Sequence, residues 1–375
     1  MRLSSKNVFA TIVGVIAIAI TVSAAASLAE TLPIGAKAPP LRLPGVDGKT
    51  YSLDDFASAQ VLVIVFTCNH CPTAQAYEDR IKQLAADYKP KGVVVVAVSP
   101  NDPQAVRLDE LGYTDLGDSL EDMKVRAKDK AFSFPYLYDG EKQEVGRAYG
   151  PLATPHVFVF DKARRLRFVG RIDDSEKPER VKSHDTRNAL DALLAGKPVP
   201  VETTRVFGCS VKWSDKRDSA KKSMETWDRE EVGLTPIDAE GIRKLVGNDT
   251  KKLRLVNVWA TWCGPCVAEH RDLVTMNRMY RHRGFELVTI SADSPESNEE
   301  ALKTLQRNHV AGTNYLFKEN DKYKLMEAVD KLSPGPLPHT ILIAPGGKVI
   351  YRKSGSFDAM ELKKAIVGYL GRVYK

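Results

Sequence analysis

The chain is poor in cysteine, with five among 375 residues. None lies near its N-terminal apolar stretch, which excludes a lipid-modified lipoprotein. It has no second long apolar run: after residue 22 nothing approaches the roughly 20 residues needed to cross a bilayer. It has no stripe of Lys and Arg interleaved with aromatics. The formal net charge of +7 comes from 55 basic and 48 acidic residues mixed along the chain, and it points to no nucleic-acid partner. His184, His270, His282 and His309 show no metal-ligand spacing and read as surface residues. What remains, 43% hydrophobic and 27% charged, is ordinary globular composition, and the length suits two domains.

Arg2 and Lys6 precede an apolar segment from Val8 to Val22, and small residues follow from Ser23 to Ala29. This is the layout of a secretory signal, with cleavage after Ala29, where Ser27-x-Ala29 fits a signal-peptidase site, and Ala24-x-Ala26 as a second option. The alternative is an uncleaved N-terminal anchor. Either way the chain is expected to be exported to the periplasm or cell envelope. Without Arg2 and Lys6 the net charge is about +5.

Four of the five cysteines form two Cys-x-x-Cys pairs, Cys68/Cys71 and Cys263/Cys266. Each follows a β-branched run, Val61–Thr67 and Leu253–Trp259, of the kind buried on both faces of a sheet. Each precedes a helical pattern, Thr73 to Tyr88 and Val267 to Arg283. A helix N-terminus supplies N–H groups and a positive dipole end, which stabilise thiolate over thiol. The pattern therefore signals redox dithiols. A zinc ribbon spaces its pairs by about 15–20 residues, whereas these lie about 190 apart. No metal and no cofactor are expected.

The rest of each half repeats the same order. A strand follows the helix, then an insertion. A Pro-His step then opens a hairpin, Thr154-Pro155-His156 in the first half and Leu337-Pro338-His339 in the second. These prolines stand 84 and 72 residues after the second cysteine. A helix closes each half. The expectation is an α/β protein with two domains, each a central mixed β-sheet flanked by helices. The boundaries are 1–29 signal, 30–207 first domain, 208–232 linker and 233–375 second domain. Ser210 to Glu231, dense in charge, spans about 25 Å if flexible, allowing dithiol exchange between the halves.

These motifs resemble the thioredoxin-like superfamily. The second half, with Leu255-Val256-Asn257-Val258-Trp259-Ala260-Thr261-Trp262-Cys263-Gly264-Pro265-Cys266 and Pro338, resembles TlpA/ResA-type thiol:disulfide oxidoreductases. The first half is similar to redoxin or peroxiredoxin-like (AhpC/TSA-type) domains. It carries Phe66-Thr67-Cys68-Asn69-His70-Cys71-Pro72-Thr73, Thr154-Pro155-His156 and Gly208-Cys209-Ser210-Val211-Lys212-Trp213.

The resemblance implies that Cys263 attacks a substrate disulfide and Cys266 resolves the mixed disulfide. Trp262, Gly264, Pro265 and Pro338 would form the substrate groove, with Pro155 and His70 in the first half. Partners would be disulfide-containing envelope proteins and a membrane thiol electron donor. His70 is expected to stabilise a Cys68 thiolate, making Cys68/Cys71 a more oxidising couple than Cys263/Cys266. Cys209 either resolves an intermediate or fills a core position. Peroxide reduction by the first half, suggested by Cys71-Pro72-Thr73, and a non-enzymatic envelope binding module are the competing functions.

Overall fold

The computed structural model describes residues 30–333 and 335–374. The proposed signal segment lies outside them, and among them no helix is long and apolar enough to cross a membrane.

The first unit runs β1 (Arg42–Pro44), β2 (Thr50–Ser52), β3 (Val61–Phe66), α1 (Pro72–Tyr88), β4 (Val93–Ser99), α2 (Leu120–Asp129), β5 (Tyr136–Tyr138), α3 (Glu144–Tyr149), β6 (His156–Phe160), β7 (Leu166–Gly170) and α4 (Asp185–Leu194). After α5 (Arg217–Asp228) comes the second unit. It runs β8 (Thr235–Ile237), α6 (Ala239–Gly247), β9 (Leu253–Trp259), α7 (Gly264–Tyr280), β10 (Phe285–Ser291), α8 (Asn298–Arg307), β11 (Thr313–Phe317), α9 (Lys322–Val329), β12 (His339–Ile343), β13 (Val349–Ser354) and α10 (Ala359–Leu370).

The first sheet has the order β5-β4-β3-β6-β7 and the second β13-β12-β9-β10-β11-β8. In both, the strand before the cysteines is central, parallel to the strand after the helix and antiparallel to the hairpin strand. The two mixed sheets flanked by helices meet the expectation of an α/β fold. Alternate residues of the central strands feed opposite cores. Val61, Val63 and Val65 pack with α1 and α4, while Leu62, Ile64 and Phe66 face α3. In β9, Leu253, Leu255 and Trp259 pack with α7 and α10, and Val256 and Val258 face α6 and α9. Each such side chain stabilises by about 1.5–3 kcal/mol on burial, which makes the strand ends firm platforms for the cysteine turns.

The stretch read as a linker carries α5 and is packed against both units. Lys212 is buried, with Nζ 2.5 Å from Glu110 and its carbonyl accepting from Asp102 N and Gln143 Nε2. Arg217 on α5 pairs with the buried Asp102. Asp228 and Glu230 pair with Arg278 and Arg281 of the α7 region. The charges that suggested a solvated tether are the ones that fasten it.

The units also touch directly. Tyr280 Oη donates to the Thr114 carbonyl at 2.9 Å, and Arg283 to that of Gly112 at 2.7 Å. Arg372 pairs with Asp115 at 2.5 Å and Lys364 with Asp129 at 2.7 Å.

Candidate active sites

In the second unit β9 ends on buried Trp259, and the chain turns through Thr261 and Trp262. Asp293, just beyond β10, fixes this turn by accepting from Thr261 N and from Thr261 Oγ1 at 2.8 Å. Cys263 is then the N-cap of α7, its sulfur accepting from Cys266 N at 3.3 Å. Cys263 and Cys266 are joined by a disulfide, with Cα atoms 5.3 Å apart. Cys266 is sealed, whereas Cys263 keeps 7% of its surface and lies between exposed Trp262, at 59%, and exposed Gly264 and Pro265. Lys322 Nζ stands 4.1 Å over the Trp262 ring. Leu337 packs against the cluster containing both sulfurs, and its bond to Pro338 is cis.

The first unit reads the same motif in a different register. Here α1 begins at Pro72, a residue suited to the first turn because its missing N–H is not needed there. Cys71, not Cys68, is the N-cap, and its sulfur accepts from Ala74 N at 3.4 Å. Cys68 and Cys71 are free thiols, 3% and 0% exposed. Thr154, whose bond to Pro155 is cis, lies against both. Its hydroxyl is 3.2 Å from Cys68 Sγ and its carbonyl oxygen 3.4 Å from Cys71 Sγ.

His70 is buried rather than solvated, and it is held by Asp118. The Asp118 carboxylate accepts from the amides of Asn69 and His70, from Asn101 Nδ2 at 2.7 Å, and meets His70 Nδ1 at 2.5 Å. Burial works against charge on His70, but Asp118 outweighs it and raises the His70 pKa above its ordinary value. Burial likewise opposes ionisation of Cys71. Hydrogen bonds from Cys209 and Cys68, the His70 charge and the Ala74 N–H overcome it and bring that thiol well below the usual range. Cys68 moves the other way, pushed up by burial, by its hydrogen bond to Cys71 and by the Asp118 charge. The expected Cys68 thiolate is therefore corrected: the helix start and the imidazolium both serve Cys71.

Cys68, His70 and Asp118 bring donor atoms within 4.8 Å of one another, the one metal-like grouping among the described residues. Asp118 already meets four donors, so this cluster fits a hydrogen-bonded carboxylate better than a metal ligand.

Cys209 is half-buried and packs against Cys68 and Cys71. Its carbonyl accepts from Thr154 N at 2.9 Å. Gly208 permits that approach: at φ 135°, a Cβ there would sit 2.1 Å from the Thr154 oxygen.

Of the four histidines read as surface residues, His184, His282 and His309 are exposed and His270 is not. His270 is fully buried, edge-on to Trp259 with centroids 4.6 Å apart, because the fourth residue after Cys266 faces the sheet. His156 accepts from Leu152 N, and His339 lies between Asp330 and Ser354. Both are buried and pack within strands rather than lining grooves. Asp118 and Asp293 are the site residues that no motif marked, while Thr154 stood in the Thr154-Pro155-His156 step without a role of its own.

Residues 34–169 match the AhpC/TSA family and residues 244–366 the Redoxin family. The chain is 28% identical over 162 residues to a thiol-disulfide oxidoreductase ResA of Bacillus cereus, covering 41% of this chain and 82% of that protein. With ResA of Bacillus subtilis the identity is 22% over 151 residues, covering 40% and 73%. Among solved structures, an uncharacterized conserved protein from Geobacillus kaustophilus is 40% identical, covering 48% of this chain and 93% of that one, with a TM-score of 0.44. The chain is a tandem thioredoxin-like protein, an AhpC/TSA-type unit followed by a redoxin-type unit.

Proposed function

We propose that this is an exported thiol:disulfide oxidoreductase acting on disulfide-containing envelope proteins, with Cys263 and Cys266 as its principal dithiol. The observation that carries this reading is the Cys263–Cys266 bond, set at the start of α7 with only the first sulfur reachable. In the reduced protein, the Cys263 thiolate attacks a substrate disulfide and one substrate sulfur leaves as thiolate. Cys266 then attacks Cys263 Sγ, restoring the internal bond and releasing the reduced substrate. The exposure of Trp262, Gly264 and Pro265 beside Cys263, and the packing of Leu337, next to Pro338, against the cluster that holds both sulfurs, support a substrate groove there, as does the kinship with ResA. A membrane thiol donor would return the dithiol to its reduced form.

The test is insulin-disulfide reduction together with trapping. Cys263→Ser is expected to fall to background, while Cys266→Ser accumulates a mixed disulfide with its envelope target. Full activity in Cys263→Ser would overturn the assignment. For export, the mature N-terminus is expected at Glu30 in the envelope fraction, and full-length protein confined to the cytosol would refute it.

A second reading, peroxide reduction by the first unit, is favoured by one feature. Cys71, followed by Pro72 and Thr73, caps α1 as a stabilised thiolate. Peroxide consumption lost in Cys71→Ser would support it. Unchanged consumption would remove it.

A further inference from the structure

Three sulfurs of the first unit gather around Thr154. Its hydroxyl meets Cys68, its carbonyl lies beside Cys71, and its amide donates to the Cys209 backbone. Cys71 is the middle sulfur: Cys68 lies with it in one buried cluster, Cys209 packs against that cluster, and both act on the Cys71 thiol. The outer two are not equivalent. Cys68 sits in the core at 3% exposure, beside the Asp118 carboxylate. Cys209 is half-buried and lies near Tyr374, itself 47% exposed.

We propose that the first unit works through a Cys71–Cys209 disulfide, Cys71 attacking and Cys209 resolving, rather than through the Cys68–Cys71 pair that its motif suggests. This rests on the first unit being redox-active.

Three features support the choice. Cys71 alone has the helix N-terminus and the Asp118-held His70 behind it. Cys209 is the one residue of the three that is not fully buried, and so the one nearest a route by which product can leave. The third concerns when each partner ionises. Cys209 is held as a thiol first of all by its hydrogen bond to the Cys71 thiolate, whereas Cys68 is held so by burial. Once Cys71 is bonded to substrate its negative charge is gone, which lifts the chief restraint on Cys209, whereas burial and the Asp118 charge still hold Cys68 as a thiol. With a disulfide R–S–S–R, the Cys71 thiolate forms Cys71–S–S–R and expels R–S⁻. Cys209 then bonds to Cys71, and the second R–S leaves with the Cys209 proton as R–SH. Two protein sulfurs are oxidised and one external disulfide is reduced.

The full-length protein is reduced, freed of reductant, exposed to oxidised glutathione, quenched with N-ethylmaleimide and digested without reduction. The expected product joins the Cys71 and Cys209 peptides, with Cys68 alkylated; the Cys263–Cys266 cross-link reports separately on the second unit. A Cys68–Cys71 cross-link overturns the proposal. Glutathione persisting on Cys71 beside alkylated Cys209 removes the resolving role while leaving the first unit redox-active. Alkylation of all three, beside an oxidised second unit, overturns both the proposal and the redox reading of the first unit. In Cys209→Ser the expected end point is a stable glutathione adduct on Cys71, a product that a merely misfolded chain does not give selectively.

Discussion

Asp118 spends both carboxylate oxygens on four donors, and the one that matters for chemistry is the His70 ring. Removing its charge is expected to discharge His70 and raise the pH midpoint of Cys71 alkylation. A lost opposite charge at such range is worth about 1–3 units. Iodoacetamide rates on the Cys71 peptide of Asp118→Asn, measured across pH, check this; an unmoved midpoint refutes the relay. Burial also lowers both His156 and His270 to about 4. A histidine depressed on folding lends stability that is present above about pH 6.5 and lost as pH falls through about 4. Each contributes on the order of 3 kcal/mol to that loss. His270→Phe, which keeps the ring against Trp259, is expected to flatten the acid limb of stability in denaturant titrations. Glu269 behaves oppositely: burial raises it to about 7, so its contribution is present below about 4.5 and lost as pH rises through 7. Glu269→Gln should remove that upper slope.

At the level of elements, both cysteine turns depend on how a helix begins. Cys263 caps α7 and Cys71 caps α1, although the two motifs share the same spacing. Asp293 holds the turn before α7 from across the sheet. Asp293→Ala leaves Thr261 N and Oγ1 without that acceptor and is expected to cost about 1–3 kcal/mol. The second-unit melting transition checks this, with Asp293→Asn predicted to recover part of the loss. The strand–CxxC–helix–strand order was legible because each signal is contiguous: a β-branched run, a turn, a helical period. The anchors were not, because Asp118 lies 48 residues from His70 and Asp293 lies 32 from Thr261. No local pattern marks such a pairing. The helix of the first unit starts at Pro72, one residue before the expected Thr73, but nothing in the pattern shows that Cys71 rather than Cys68 caps it. The supposed linker misled through composition alone: Lys212 and Arg217 look solvated until Glu110 and Asp102 are brought to them by folding.

On the scale of the whole molecule, α7 separates the two redox centres. Its first residue follows Cys263, and its last, Tyr280, bonds to the loop that leads from Thr114 to Asp118 in the first unit. From Cys266 to Tyr280 the helix rises about 21 Å. With α5 and the intervening stretch docked, the units are not free to bring their sulfurs together. Electron equilibration between them is therefore expected to depend on protein concentration, as a bimolecular process. Stopped-flow mixing with one centre reduced and the other oxidised checks it, and a concentration-independent rate would show that the units part. On the proposed two-site reading, the same spacing means that the molecule need not take turns, since a donor seated at one end of α7 would leave the other end open to a second client.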